Sequence, residues 1–272
     1  MWTDEHRVRH KRRPCRYPSD LTDAQWESIK HLFASYTTLT ANMREMVNGD
    51  LYLTKTSCQW DYLPTDFGPR GTVREWHDRF RRDGVWDKAM EILYPQARRK
   101  LGRNEKPETL IVDSQSISAG PQAGPRGVDG GKKRNGIKRH VAACSAGLLL
   151  GVMATAANVH DSKALVPLVD MVREKHPSII RVVADSAYAG SELTAAMRER
   201  GIDLQITAKP DKASGFVPIP VRWRVEGLNG VLSNGCRRLA KHWECGLEAA
   251  ENFTKIASVR RLLNVVHKPV TA

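Results

Sequence analysis

Apolar positions change their spacing once along the chain. From Leu21 to Leu93 they recur every three or four residues, the period of a helix face; beyond Thr109 short unbroken apolar runs alternate with helical stretches. Thr22-Asp23-Ala24-Gln25 is a capping box, followed at helical intervals by Trp26, Ile29, Leu32 and Phe33. A second helix is expected from about Ala41 to Leu53, with Met43, Met46, Val47 and Leu51 on one face; Trp60, Tyr62, Leu63 and Pro64 form an apolar connector. Thr72-Val73-Arg74-Glu75 predicts another capped helix, with Val73, Trp76 and Phe80 inward, Arg74, Arg79, Arg81 and Arg82 mostly outward, and Gly84 as its stop. One more helix runs through Trp86, Met90 and Leu93, and the charged link Arg98 to Pro107 is the expected domain boundary.

The second half opens with Thr109-Leu110-Ile111-Val112-Asp113-Ser114-Gln115-Ser116, an apolar run that predicts a buried strand delivering a carboxylate at its end. Ser178 to Ser186 repeats the pattern and ends in Asp185-Ser186, 72 positions later. If the two strands are neighbours, Asp113 and Asp185 converge, and two such carboxylates repel unless a proton or cation lies between them. A hard divalent ion fits oxygen ligands of this kind. Between the two runs lie expected strands Arg139–Cys144 and Leu148–Thr155, a turn at Ser145–Gly147, and a helix carrying Leu165, Leu168, Val169 and Val172, which Pro167 starts late or bends. His160 and Asp161 stand at the start of that helix, with Asp161 expected as its cap and a supporting role beside the acidic pair as the alternative. An alanine-rich helix through Met197, a strand Asp203–Ala208, a proline-rich loop Lys209–Pro220 and a long helical region from about Arg222 complete the chain.

The order β-β-β-α-β-α-β-α, with acids on the first and fourth strands, predicts an α/β ribonuclease H-like mixed sheet flanked by helices, preceded by a small all-helical DNA-binding domain. The expected divisions are a basic tail (1–18), the helical domain (19–106) and the catalytic domain (107–272).

Charge changes the picture more than composition does. Lys and Arg number 43 against 30 Asp and Glu, a net +13, which predicts a polyanionic partner, nucleic acid first and an anionic membrane surface second. No basic amphipathic anchor supports the membrane. The tail carries Arg7, Arg9, Lys11, Arg12, Arg13 and Arg16, either a frayed end or a phosphate grip. The helix bearing Arg74, Arg79 and Arg81 suits a helix-turn-helix reader of the major groove, and equally a solvated basic face. Ala119 to Gly136 is glycine-rich and carries Lys132, Lys133 and Arg134, with Lys138 and Arg139 close behind; it is expected as a flexible loop contacting nucleic acid beside the acids. Five scattered cysteines without a C-x-x-C pair argue for reduced thiols in a cytosol, against a disulfide framework or zinc site.

Two Asp ligands under-coordinate a metal pair, so a third acid is expected on the last helix. Glu226 stands in its first turns, whereas Glu244, Glu248 and Glu251 lie at least ~15 Å farther along the axis. Glu226, Gly230, Ser233 and Arg237 would share one face, opposite Leu228, Val231, Leu232 and Leu239.

The chain resembles the DDE transposases of bacterial insertion sequences, specifically the insertion sequence family five group. The resemblance lies in Tyr17 to Trp26, Ser57-Cys58-Gln59-Trp60, Val112 to Ser116, Gly131-Lys132-Lys133, Lys138-Arg139-His140, Ala184 to Tyr188, Arg222 to Glu226 and Cys236 to Lys241, in that order. It implies an Asp-Asp-Glu triad at Asp113, Asp185 and Glu226 binding two Mg²⁺ (or Mn²⁺) ions, and DNA contact at Arg222; Arg237 is a further candidate contact. It implies double-stranded DNA as partner, both element terminal inverted repeats and target, with the enzyme a homodimer on DNA at the nucleoid of the bacterial cytoplasm. Ser233 stands where the broader family pattern carries a Lys. The function implied is DNA strand cleavage and strand transfer; a degenerate transposase that only binds DNA, or a nuclease without strand transfer, are the alternatives.

Overall fold

The computed structural model describes residues 16–36, 41–207 and 223–268. The helical half contains α1 (Asp23–Ile29), α2 (Met43–Thr56), α3 (Arg70–Arg82) and α4 (Val85–Lys100), with short 3₁₀ turns at Lys30–Phe33, Trp60–Tyr62 and Thr65–Phe67. The capping box at Thr22 is formed, hydroxyl and Gln25 amide bonding reciprocally to backbone. The second expected box is not: α3 starts at Arg70 behind Pro69, so Thr72 lies inside the helix. Pro69 stands at the cap position itself, and no side chain caps α3. Val73, Trp76 and Phe80 are buried as expected, and Gly84 (φ 63°) breaks the chain between α3 and α4 in a conformation that favours glycine.

The second half is a six-stranded mixed sheet, β1 (Thr109–Ser118), β2 (Gly127–Asp129), β3 (Arg134–Cys144), β4 (Leu149–Ala156), β5 (Arg181–Asp185) and β6 (Asp203–Thr207). Its order is β2-β3-β1-β5-β6, with β4 also on β3. β3 is antiparallel to β1, β2 and β4; β1, β5 and β6 run parallel. The connecting helices are α5 (Ser162–Lys175) and α6 (Ser191–Glu199), and the chain closes with α7 (Trp223–Gly235) and α8 (Leu247–Val266). Adjacent residues of β3 point to opposite faces: Arg139 reaches Ser233 of α7, whereas Lys138 reaches Asp161 at the start of α5. The two helices therefore lie on opposite faces.

Two expectations are corrected here. Ala119–Gly136 is not a free loop. Its end folds as β2 paired to the first residues of β3, and Asp129 ties the intervening turn by accepting from Gly131 and Lys132 N at 3.0 Å each and from Ser116 Oγ at 2.5 Å. Farther back, Gly120 and Gly124 donate to the carbonyls of His242 and Glu244. The long terminal helix is likewise two helices separated by a 3₁₀ turn at Arg237–Leu239, and Val231 is half exposed rather than part of the apolar face of Leu228 and Leu232.

α8 folds back onto α4, where Lys255 pairs with Asp87 at 2.8 Å, and packs on β4. The buried interior is continuous from Phe33, Phe80 and Trp86 to Leu110, Ile111, Val141 and Val182.

Candidate active site

The register of β1 on β5 decides the site. Leu110 pairs with Val182 and Ile111 with Val183, so two residues farther along, Asp113 stands level with Asp185. Both are half-buried. Asp185 is the last residue of its strand, as expected; Asp113 is not, because β1 continues to Ser118 through its pairing with β3. One Asp185 oxygen accepts from Ala187 N at 2.9 Å, capping the 3₁₀ turn Ser186–Tyr188.

That turn buries Tyr188 beneath the acids. Burial, and then the charges of Asp161, Asp113 and Asp185, push its hydroxyl up. The region is thus a concentration of negative charge with an uncharged phenol under it.

On the α7 face, Asn229 Nδ2 donates to Asp113 Oδ2 at 2.9 Å. Two residues along β1, Gln115 Oε1 accepts from Ser233 Oγ at 3.0 Å and from Arg139 at 2.6 Å; Arg139 also donates to Ser233 Oγ at 3.0 Å and to Leu239 O. Burial lowers the Arg139 guanidinium to about 10. Glu226, in the first turn of α7, is exposed, one turn before Asn229.

The opposite face holds a second network. Lys138 Nζ lies 2.9 Å from Asp161 Oδ1 and donates to Val159 O at 2.8 Å. Asp161 sits at the cap position of α5, yet its side chain makes no capping bond; the expected cap is instead half of an interior ion pair. Burial raises its pKa, but Lys138 and Ser114 outweigh that and hold it below the usual range. His140, wholly buried, bonds Thr155 Oγ1 at 2.9 Å, and burial lowers it to about 4.

Carboxylate oxygens suit a hard divalent cation, and the level pair Asp113 and Asp185 fits one in chemistry. Among the described residues, no three His, Cys, Asp or Glu side chains lie close enough together to hold an ion.

The expected DNA-binding residues divide. Lys132 and Lys133 are exposed on the β2–β3 turn, Arg134 at the start of β3, and Arg237 on the turn after α7. Arg74 and Arg79 are exposed and stack on Trp60 and Trp76, while Arg81 is partly engaged by Glu248 at 3.3 Å. Lys138 and Arg139 are interior residues of β3 and do not face solvent. Arg222 lies outside the described residues, as does the loop Lys209–Pro220.

A family model described as "Transposase DDE domain" matches residues 104–260. The chain belongs to the DDE transposases. A second model, for a putative transposase of the IS4/5 family, matches residues 21–90 of this transposase. A putative transposase for insertion sequence element IS402 from Burkholderia cepacia is 32% identical over 154 residues, 54% of this chain and 71% of that protein. No described helix of the transposase is long and apolar enough to cross a membrane, and Cys58, Cys144, Cys236 and Cys245 are free.

Sequence reasoning passed over Asn229 and Gln115. Gln115 stands two residues beyond Asp113 on the same strand face, and Asn229 three beyond Glu226, one turn on; those two periodicities were the available signal.

Proposed function

We propose that this transposase binds the ends of an insertion element and catalyses strand cleavage and strand transfer at DNA phosphodiesters, with Asp113, Asp185 and Glu226 as its acidic triad. The observation that carries the reading is the parallel register that sets Asp113 level with Asp185. Mg²⁺ or Mn²⁺ would be held by these carboxylates and would supply activation of the attacking water or 3′-hydroxyl and stabilisation of the leaving oxygen. Asn229 orients Asp113 by donating to one of its oxygens, and the Ala187 amide fixes Asp185. No side-chain nucleophile is required, so Ser114 and Ser186 have no covalent role.

Residues 19–106 would grip DNA through Arg74, Arg79 and Arg81, and the domain from 107 would do so through Lys132, Lys133, Arg134, Arg222 and Arg237, with the tail 1–18 adding phosphate contacts. The acting form is a homodimer on the two element ends, in the bacterial cytoplasm. The sheet order, with the two acids on neighbouring strands, supports a ribonuclease H-like fold.

One observation favours a second reading, a transposase that retains DNA binding without chemistry. Gly227, Gly230 and Gly235 lie in α7 where an added Cβ would meet nothing within 4 Å. These glycines weaken the helix by up to ~1 kcal/mol each relative to Ala, without a packing reason.

Cleavage of a labelled duplex carrying the element's terminal repeat, with Mg²⁺ or Mn²⁺, separates the two. Nicking that is lost in Asp113→Asn and Glu226→Gln, with binding retained, supports the enzyme; tight binding without nicking by the unmutated chain supports the relic.

A further inference from the structure

The turn that joins β2 to β3 is built more tightly than its glycines suggest. Asp129 and Arg134 pair across its mouth, and residues 130–133 close it. Gly127 pairs with Gly136 at its root, where a Cβ on Gly136 would collide with the Ile117 carbonyl and one on Gly127 with the Asn158 side chain. Asp129 is buried although the turn itself is exposed. Its Oδ1 accepts from the amides of Gly131 and Lys132 at 3.0 Å each, and its Oδ2 from Ser116 Oγ at 2.5 Å. The Ser116 bond first, and then the Lys132 amide, hold the carboxyl below its usual range, so it is an ionised acceptor at neutral pH. Arg134 reaches the same residue from the other side of the mouth, donating to Ser116 O at 2.9 Å.

Two features mark this turn as more than a connection. Lys133 takes a φ of 49°, a left-handed conformation that glycine adopts readily and a lysine only at a cost. Glycines stand at 130 and 131, so a lysine at the strained position keeps a charged side chain where the backbone alone would favour glycine. Lys132 and Lys133 are both exposed. The second feature is the anchor: Ser116 lies three residues beyond Asp113 on β1, about 10 Å along the strand. The two bonds to Ser116 therefore fix the backbone of the lysines against the strand that carries the first acid. One strand of a duplex advances ~3.4 Å per nucleotide, so phosphates a few nucleotides from a bond held at Asp113 fall within that distance.

We propose that Asp129 is a positioning residue for DNA: with Ser116 it holds the turn 130–133 so that Lys132 and Lys133 meet backbone phosphates beside the bond to be cut. The inference rests on the DNA-binding part of the reading above. Holding the turn in advance spares the ordering that a free glycine-rich loop would undergo on binding. The sign of the effect sets this role apart from plain electrostatics. An acid near DNA repels phosphate, so its removal by itself tightens binding; loss of a positioning residue weakens it.

The test measures binding of the full chain to a duplex of arbitrary sequence over a series of salt concentrations. Asp129→Ala should lower affinity about tenfold and flatten the slope of log affinity against log salt by about one. Asp129→Asn keeps an oxygen for the two amides and an NH₂ for the Ser116 oxygen, so it should bring both readouts back to those of the unmutated chain. Should Asp129→Ala fail to fold, Ser116→Ala, which removes one bond and leaves the acid, should weaken binding about threefold. Binding by a folded Asp129→Ala as tight as before or tighter, or an Asp129→Asn as weak as Asp129→Ala, overturns the proposal. So does unchanged binding by Ser116→Ala where that variant stands in.

Lys132→Ala combined with Lys133→Ala separates this inference from the reading beneath it. If that pair leaves affinity and slope unchanged, the turn does not touch DNA, and the reading fails here together with the inference. If the pair weakens binding and Asp129→Ala does not, only the inference fails. On the background of the pair, Asp129→Ala should add no further loss; the same loss there as in the unmutated chain would place the effect of the acid elsewhere and overturn its role.

Discussion

Asn229 on α7 donates to Asp113 on β1 at 2.9 Å, so the helix that carries Glu226 is tied to the strand that carries the first acid. An ionised carboxylate only accepts, which fixes the amide nitrogen as the group that faces it. Asn229→Ala should reduce metal-dependent nicking about 10–100-fold, the usual cost of losing such a support to a metal-binding residue, with duplex binding unchanged. Asn229→Asp would set two carboxylates together and raise the pKa of one, shifting the pH profile of nicking upward. A wild-type rate and profile in both variants would reduce the bond to packing.

Arg139 is buried with three neutral partners, Gln115, Ser233 and the Leu239 carbonyl. Lysine keeps the charge but loses the planar fork that reaches all three at once. Arg139→Lys should therefore lower stability in urea by roughly 1–3 kcal/mol. Arg139→Met should cost less, because it removes the buried charge along with its bonds. The reverse order would mean that the charge itself stabilises the α7 contact.

Lys138 and Asp161 pair in the interior at 2.9 Å. Asp161→Asn leaves the ammonium without its counter-charge and should cost about 3–5 kcal/mol, whereas Lys138→Met combined with Asp161→Leu should recover most of it. Since the folded Asp161 carboxyl lies below its ordinary range, its contribution is present at neutral pH and is lost as pH falls through the folded value. Lys138→Met removes the charge that holds Asp161 low and leaves the burial that raises it, so the fall of the urea midpoint on acidification, followed by circular dichroism, should become shallower.

His140 is held neutral at about 4, below the ordinary histidine value, chiefly by burial; Asp161 pushes it up and Lys138 down. The unfolded chain thus binds a proton that the folded chain refuses. Stability from this group is complete above about 6.5 and drains away toward pH 4, by at most roughly 3 kcal/mol. His140→Gln should flatten that part of the urea midpoint against pH. A curve unchanged by the substitution would assign the acid sensitivity to other groups.

Local chemistry was legible in the sequence wherever one element contains its own cause. The Thr22 capping box, the helix spacing of Val73, Trp76 and Phe80, the Gly84 break and the strand that ends at Asp185 depend on neighbours a few residues away, and they form as expected. The meeting of Asp113 with Asp185 was also within reach, because two unbroken apolar runs of a mixed sheet have few places to go. Only the tertiary structure decided which charges are interior. Lys138 and Arg139 follow a basic, glycine-rich stretch, and their charge marks them as solvent-facing even where the strand Arg139–Cys144 is expected to begin. A strand side chain's surroundings are set by what packs on its face, and here α5 brings Asp161 to Lys138 while α7 brings Ser233 to Arg139. The same holds for Thr72, whose capping role was pre-empted by Pro69, and for Ala119–Gly136, which Asp129 and the carbonyls of His242 and Glu244 tie down. Such partners lie from a few to more than a hundred residues apart in the chain, and neither composition nor periodicity encodes a contact of that range.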